Sequence, residues 1–340
     1  MSGPVVVDVQ GLTLTDAERE RLRHPLVGMV ILFARNFASA SQLAALTAEI
    51  RDLRSPPLLI AVDHEGGRVQ RFREPPFTRL PAMARLGALW DADVLGASRA
   101  ALSFGYLMAA ELRAHGIDLT FAPVLDVEWR RSGVIGDRAL HHDPRVVALL
   151  AAQLMHGMAL AGMANCGKHF PGHGWATADS HTDVPFDERP RTAILGADAA
   201  PYRWLGRQLT SVMPAHVVYE AVDAAPAGFS RRWIDLLRGS LEFTGAVFSD
   251  DLLMQGASAQ GSVPDRARAA LKAGCDLVLV CNDTNAMDEV LDGLKWKAGS
   301  HHAERLARLA PRGQAPRMDE LRVSEVHRAA LRDLEALADE

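Results

Sequence analysis

Eight short apolar runs, rich in β-branched residues, punctuate the chain: Val5 to Val9, Val27 to Phe33, Leu58 to Val62, Ile117 to Phe121, Met163 to Cys166, Ser211 to Met213, Ala246 to Ser249 and Asp276 to Val280. Most are continuous rather than alternating, the pattern of strands buried on both faces of a parallel sheet. The stretches between them carry a helical rhythm with recognisable ends. Thr15 and Glu18 have capping-box spacing, and Leu43, Leu46, Ile50 and Leu53 fall on one helical face. His115-Gly116 closes a long helix ahead of Ile117, Asp143-Pro144 opens another that ends by Gly162, and Ser230 starts a third. Eight strands alternating with helices over 340 residues predict an α/β fold, a (β/α)8 TIM barrel with room for an irregular strand order; a doubly wound open sheet is the alternative. No linker or compositional shift divides the chain, so residues 1–340 are expected to form a single domain. Its tail from about His301, with a helical rhythm from Ser324 to Ala338, is expected to pack outside the barrel.

Two connections are too long to be plain links. PVLDVEWRRSGVIGDRALHHD follows Phe121, and GKHFPGHGWATADSHTDVPFDERP follows Cys166. Structureless loops beyond about 12 to 15 residues in a compact domain are usually functional or disordered. These two are rich in His, Gly and Asp instead of disorder-promoting repeats, and both would leave the same barrel face. That face, at the strand C-termini, is where barrels of this kind carry their chemistry. The polar residues expected directly after the strands are Arg35, Asp63, Asp126, Lys168, His169, His216, Asp250 and Asn282.

Composition narrows the partners. The formal net charge is −5 with a pI near 6.2, so no overall basic field exists to gather nucleic acid or an anionic membrane surface. No apolar stretch is long enough to span a bilayer, and the N-terminus lacks the basic-then-apolar pattern of a signal peptide; a cytoplasmic location is expected. Cys166, Cys275 and Cys281 form no C-x-x-C and suggest buried apolar positions, not a disulfide framework or thiolate metal site. Only four of the 37 basic residues are lysines, at 168, 272, 295 and 297, so where a Lys stands, Arg is suspected not to fit.

Three motifs concentrate the candidate chemistry. In AVDHEGGRVQRFR, Asp63 leaves a strand, Gly66-Gly67 permits a tight turn, and Arg71 returns eight residues later; the pair could divide sugar hydroxyls between an acceptor and a donor, or simply bridge a loop. In KHFPGHGWATADSHTD, Asp179 and His181 flank one residue, so a carboxylate could orient a ring for general acid/base work. Metal ligation competes, but the spacing matches no ligand pattern and Lys168 would repel a cation. In GAVFSDDLLM, neighbouring Asp250 and Asp251 face opposite ways on extended chain, so one can enter the barrel mouth as a nucleophile; a helix N-cap gives the same residues a structural role.

AVDHEGGRVQRF, FTRLPAM, GIDLTFAPVLDV, IGDRAL, KHFPGHG with DSH downstream, VMPAHVVY and FSDDLLM, in this order, resemble the family 3 glycoside hydrolases, from about Gly28 to Asn282. The likeness is strongest to the single-domain bacterial β-N-acetylhexosaminidases of peptidoglycan recycling. Departures are Ala139 and Leu253, where the family more often has Ser. The resemblance implies Asp250 as nucleophile, His181 as acid/base assisted by Asp179, and sugar binding by Asp63, Arg71, Arg138, Lys168 and His169. It implies a retaining exo-β-N-acetylglucosaminidase acting on muropeptide fragments, GlcNAc joined to 1,6-anhydro-N-acetylmuramic acid with or without peptide, or on chito-type amino sugars. No cofactor or metal is expected, and a monomer is. Phosphorolysis on the same fold, metal-dependent hydrolysis and non-catalytic sugar binding are the competing expectations.

Overall fold

The computed structural model describes residues 2–178, 184–335 and 337. Its centre is a parallel sheet of eight strands: β1 (Val5–Asp8), β2 (Val27–Leu32), β3 (Leu59–Val62), β4 (Leu119–Thr120), β5 (Cys166–Phe170), β6 (Ser211–Pro214), β7 (Ala246–Asp251) and β8 (Leu277–Leu279). The hydrogen-bonded order is β4-β3-β2-β1-β8-β7-β6-β5, so sequence neighbours are spatial neighbours throughout. The ring closes between β4 and β5 through single bridges: Cys166 N–H donates to Ala122 O at 2.8 Å, and Leu125 N–H to Lys168 O at 2.7 Å. The sheet is therefore a closed (β/α)8 barrel in regular order, and the open-sheet alternative falls.

The continuous apolar runs have a direct cause. Along β1, Val6 points into the barrel with Met29, Ile31, Ala61, Phe121 and Phe248, while Val5 and Val7 join a larger cluster shared with the surrounding helices. Both strand faces are buried, so both must be apolar. Helix ends follow their local signals. Glu18 N–H donates to Thr15 Oγ1 at 3.2 Å while Thr15 N–H donates to Glu18 Oε2 at 2.7 Å, completing the capping box of Asp16–Arg23. Asp143 caps Pro144–Leu160, Ser230 caps Arg231–Asp235, and Gly116, at φ +81°, ends Val94–Ala114.

Two expectations need correction. β5 starts at Cys166, where the run Met163 to Cys166 ends, and β7 runs on past Ser249, so Lys168, His169 and Asp250 lie on strands and not in the loops beyond them. Ladder pairing to β6 and β8, and not side-chain polarity, sets where these strands end. The tail is not wholly external either. Leu306 and Leu309, within and just after the helix His302–Ala307, are buried with Ala164, Ala246 and Leu277 from the strand N-termini, so they plug the barrel floor. The last two helices, Met318–Val323 and Glu325–Glu335, pack on the outside against Val94–Ala114, where His327 Nε2 lies 3.1 Å from Glu111 Oε1. Among the described residues no helix is long and apolar enough to cross a membrane.

Candidate active site

Opposite the plugged floor, the strand C-termini surround a cavity of about 470 Å³, within the range of small-molecule sites. Asp63, Arg71, Arg138, Lys168, His169 and Asp250 all line it. Six positions spread over 188 residues of sequence thus converge on one mouth. Asp179 and His181 lie outside the described residues.

The approach of Arg71 to Asp63 depends on a two-strand hairpin, His64–Gly66 with Val69–Gln70, that follows β3. Gly66 and Gly67 turn it at φ +92° and +53°, and a Cβ on Gly66 would stand 2.4 Å from Pro81 O. A side chain there is excluded by both conformation and space. The turn brings Arg71 Nη2 to 3.4 Å from Asp63 Oδ2. Arg71 Nε is buried without an acceptor among the described residues, a donor left for a ligand.

Lys168 enters from β5, two strands round the ring from β3, and bridges two carboxylates, with Nζ 2.8 Å from Asp63 Oδ1 and 2.6 Å from Glu65 Oε1. Arg138 holds Glu65 in a two-pronged pair, Nε to Oε2 and Nη2 to Oε1, both at 2.8 Å. Burial pushes the Asp63 and Glu65 carboxyls up, but Lys168 with Arg71 outweighs it for Asp63, and Arg138 with Lys168 for Glu65, so both sit below the usual range. Lys168 in turn is held above its ordinary value, because the two carboxylates overcome its burial. Five charged side chains meet here, with those of Glu65, Arg138 and Lys168 almost closed to solvent, so the cluster is a rigid polar frame.

Glu65 was not singled out from the sequence, although HEGG carries it; nothing in the pattern separates a buried acid from an exposed one after a strand. Asp126 was expected at a strand end, but its role as a partner of His169 was not. Its carboxylate accepts the backbone N–H groups of His169 and His173, the latter at 2.7 Å, and lies 2.7 Å from His169 Nδ1. The pairing fixes the ring and directs Nε2 away from Asp126, as second partners of functional histidines do.

Asp250 and Asp251 both line the cavity, but their carboxylates have different partners. Asp251 Oδ1 accepts from Leu253 N–H at 3.1 Å and Cys281 N–H at 3.3 Å, and burial pushes its carboxyl up to about 7. Asp250 accepts the Asp251 N–H at 2.8 Å and forms no ion pair among the described residues. Burial opposes its ionisation, yet His216, His169, the Asp251 amide and Lys168 hold it below the ordinary carboxylate range. His216 is the third residue whose part only the fold reveals: its Nε2 lies 3.1 Å from Asp251 O and its ring stacks on Phe229, with centroids 5.1 Å apart.

Next to the cavity, Trp129 and Trp175 meet edge to face at 5.6 Å, and the Arg189 guanidinium lies over both rings, 5.1 and 4.5 Å from their centroids. Arg189 also pairs with Asp187 at 2.6 Å and Asp198 at 2.9 Å. The two long loops are therefore tied to each other by an aromatic and ionic clasp.

The chain matches the glycosyl hydrolase family 3 N terminal domain over residues 5–310. It is 58% identical over 332 residues to a β-hexosaminidase of Bordetella avium (strain 197N), covering 97% of this chain and 94% of that one. With a β-hexosaminidase of Aromatoleum aromaticum it shares 56% over 330 residues, 96% and 93% of the two chains. Among solved structures, native NagZ from Neisseria gonorrhoeae superposes with a TM-score of 0.94 at 46% identity, covering 100% of this chain and 98% of its own. The NagZ structure in complex with N-trifluoroacetyl-D-glucosamine gives the same TM-score and identity, covering 100% and 99%. A family match across most of the chain, near-full-length relatives and a barrel mouth lined by carboxylates agree: the chain belongs to glycosyl hydrolase family 3 and is a glycoside hydrolase, a β-hexosaminidase.

Proposed function

We propose that the enzyme is a retaining exo-β-N-acetylglucosaminidase that removes non-reducing terminal GlcNAc through a covalent glycosyl-aspartate on Asp250. One observation carries the assignment: of the four carboxylates lining the cavity, Asp63 and Glu65 are bound in ion pairs and burial pushes Asp251 up to about 7, whereas Asp250 is held below the ordinary carboxylate range with no ion-pair partner among the described residues. An oxygen not engaged by a cation is free to attack an anomeric carbon. Asp63, Arg71, Arg138, Lys168 and His169 bind the sugar, for which Arg71 Nε is a ready donor. An amino sugar fits the NagZ complex with an N-acylated glucosamine. His181 protonates the leaving oxygen and then deprotonates the incoming water, with Asp179 setting its tautomer; a carboxylate and a His–Asp dyad thus take the place of the usual two carboxyls. The natural substrate is a muropeptide fragment, GlcNAc-1,6-anhydro-N-acetylmuramic acid with or without peptide, met in the cytoplasm during peptidoglycan recycling. No cofactor takes part, and one chain holds the whole site.

Leaving-group dependence separates the two roles. Protonation matters only for a poor leaving group, so His181→Ala slows sugar–sugar cleavage by about 10²- to 10⁴-fold but spares the first step on an activated aryl glycoside. The second step still needs a base, so the adduct accumulates on Asp250 as a burst, and Asp250→Ala loses both substrates and the burst. Rapid-quench kinetics with mass spectrometry of the quenched protein measures this. An adduct on another residue, or equal slowing for good and poor leaving groups, would reverse the assignment.

A further inference from the structure

A second cavity, about 510 Å³, opens on the opposite end of the barrel from Asp250. Its walls come from the helix Val263–Ala273, the start of β8, the segment 294–301 and the floor helix His302–Ala307. Lys272, Lys295 and Lys297 all line it. These are three of the four lysines in a chain that otherwise uses Arg for its positive charge, and the fourth is Lys168 in the active site. Arg268 and Arg305 line it too, against a single acid, Asp276.

The local ion pairs leave the lysines over. Asp276 is already shared between Arg238 and Arg305, each at 2.8 Å, and Arg268 is paired with Asp265. Among the described residues, none of the three exposed ammonium groups has an ion-pair partner, and five basic side chains against one acid leave an excess of four positive charges around one recess of a chain whose formal net charge is −5. Like charges gathered around a concave, partly enclosed space repel one another and focus a positive potential into it. Water and salt screen exposed ammonium groups in the free protein, and an anion seated in the recess adds attraction to all of them at once. Ammonium groups are compact point charges on flexible stems, suited to phosphate oxygens, whereas a planar carboxylate is better met by the Arg fork. The recess is too small for a polymer duplex and too large for one phosphate alone.

We propose that this recess is a binding site for a small polyanion with two or more adjacent phosphates, held by Lys272, Lys295 and Lys297. Bound there, the ligand also braces the floor helix, because Arg305 on that helix and Asp276 at the start of β8 share the cavity wall. Trp296 lines the same recess with its ring 4.8 Å from that of His302, and supplies an intrinsic fluorescence reporter.

Calorimetric and Trp-fluorescence titrations of the full-length protein with inorganic tripolyphosphate, in 150 mM NaCl, test this directly. Saturable one-site binding is expected, with a rise in Tm as the ligand loads the folded state. The triple variant Lys272→Ala/Lys295→Ala/Lys297→Ala is expected to lose at least about tenfold in affinity, each exposed charge contributing a few-fold, with kcat/KM on an aryl glycoside unchanged. Pyrophosphate and ADP run side by side distinguish the source: equal affinity assigns the site to phosphates alone, and tighter ADP binding adds a nucleoside contact. Absence of saturable binding, equal affinity for wild type and triple variant, or an effect reproduced by sulfate at matched ionic strength would overturn the proposal.

Discussion

Replacing Lys168 by Met keeps the length and apolar stem of the side chain and removes one charge from the centre of the ionic frame that lines the cavity. Its side chain is 3% exposed and Nζ touches two carboxylates, at 2.8 and 2.6 Å. Glu65 keeps the two-pronged Arg138 pair in the variant, but Asp63 keeps only Arg71, at 3.4 Å. Stripping one partner from a buried ionic cluster costs about 3 to 5 kcal/mol. With an unfolding entropy of about 2.1 cal/mol/K per residue, a chain of 340 residues loses about 4 to 7 °C in Tm for that amount. The pH dependence identifies the cause. Asp63 is held below its ordinary value chiefly because Lys168 offsets burial, so in the wild type it stabilises the fold above the unfolded-state pKa and that contribution is lost on acidification. Without Lys168 burial dominates, the Asp63 carboxyl moves up, and stability falls as pH rises through the shifted value. The difference in Tm between wild type and Lys168→Met is therefore large at pH 8 and shrinks toward pH 5. Scanning calorimetry over that range, in one buffer system, reads it out. A pH-independent difference, or none, would refute the ionic-frame reasoning. Lys168→Arg is the companion: a planar fork in place of an ammonium displaces both carboxylates, and kcat/KM is expected to fall about ten- to a hundredfold, the worth of a charged hydrogen bond.

Asp251→Asn retains an oxygen for Leu253 N–H and Cys281 N–H but removes a carboxyl that burial pushes up to about 7. The folded wild type holds that proton more tightly than the unfolded chain, so its stability falls as pH rises from about 4 to 7; the variant is expected to match it at pH 4 and exceed it in Tm at pH 8. Arg189→Ala leaves Asp187 and Asp198 buried without their cation, and burial already pushes Asp198 up to about 6, so a loss of about 3 to 5 kcal/mol is expected by denaturant melting. Because Trp175 and Arg189 flank in sequence the segment with Asp179 and His181, kcat on a natural disaccharide is expected to fall as well, and full kcat would separate the clasp from catalysis. Dialysis against EDTA, and addition of zinc or manganese afterwards, is expected to leave kcat/KM unchanged, since the proposed steps move protons and use no metal-bound oxygen. Chelator-sensitive activity restored by one metal would contradict it.

The barrel was legible from the chain alone because its cause is local and repeated. A strand buried on both faces has to be apolar at successive positions, so most of the eight strands wrote a continuous run such as Val5 to Val9, and the helix ends at Thr15, Gly116, Asp143 and Ser230 carry their own capping chemistry. The barrel rule then placed the polar residues of those strand ends at one mouth, and the cavity containing Asp63, Lys168, His169 and Asp250 lies there. What no local pattern encodes is which partner a charge meets across the barrel. Glu65 and Asp126 are ordinary acids in sequence, and they become the supports of Lys168, Arg138 and His169 only because closure brings β3, β4 and β5 within hydrogen-bond reach. Where β5 and β7 end was equally unreadable, since pairing with β6 and β8 carries both beyond the runs ending at Cys166 and Ser249 to hold Lys168 and Asp250 on strands. The same holds for Leu306 and Leu309: their helix reads as an amphipathic tail, and only the open end of a closed barrel gives its apolar side chains a floor to fill. Residue type and spacing are properties of the chain, whereas the distance between residues far apart in sequence is a property of barrel closure.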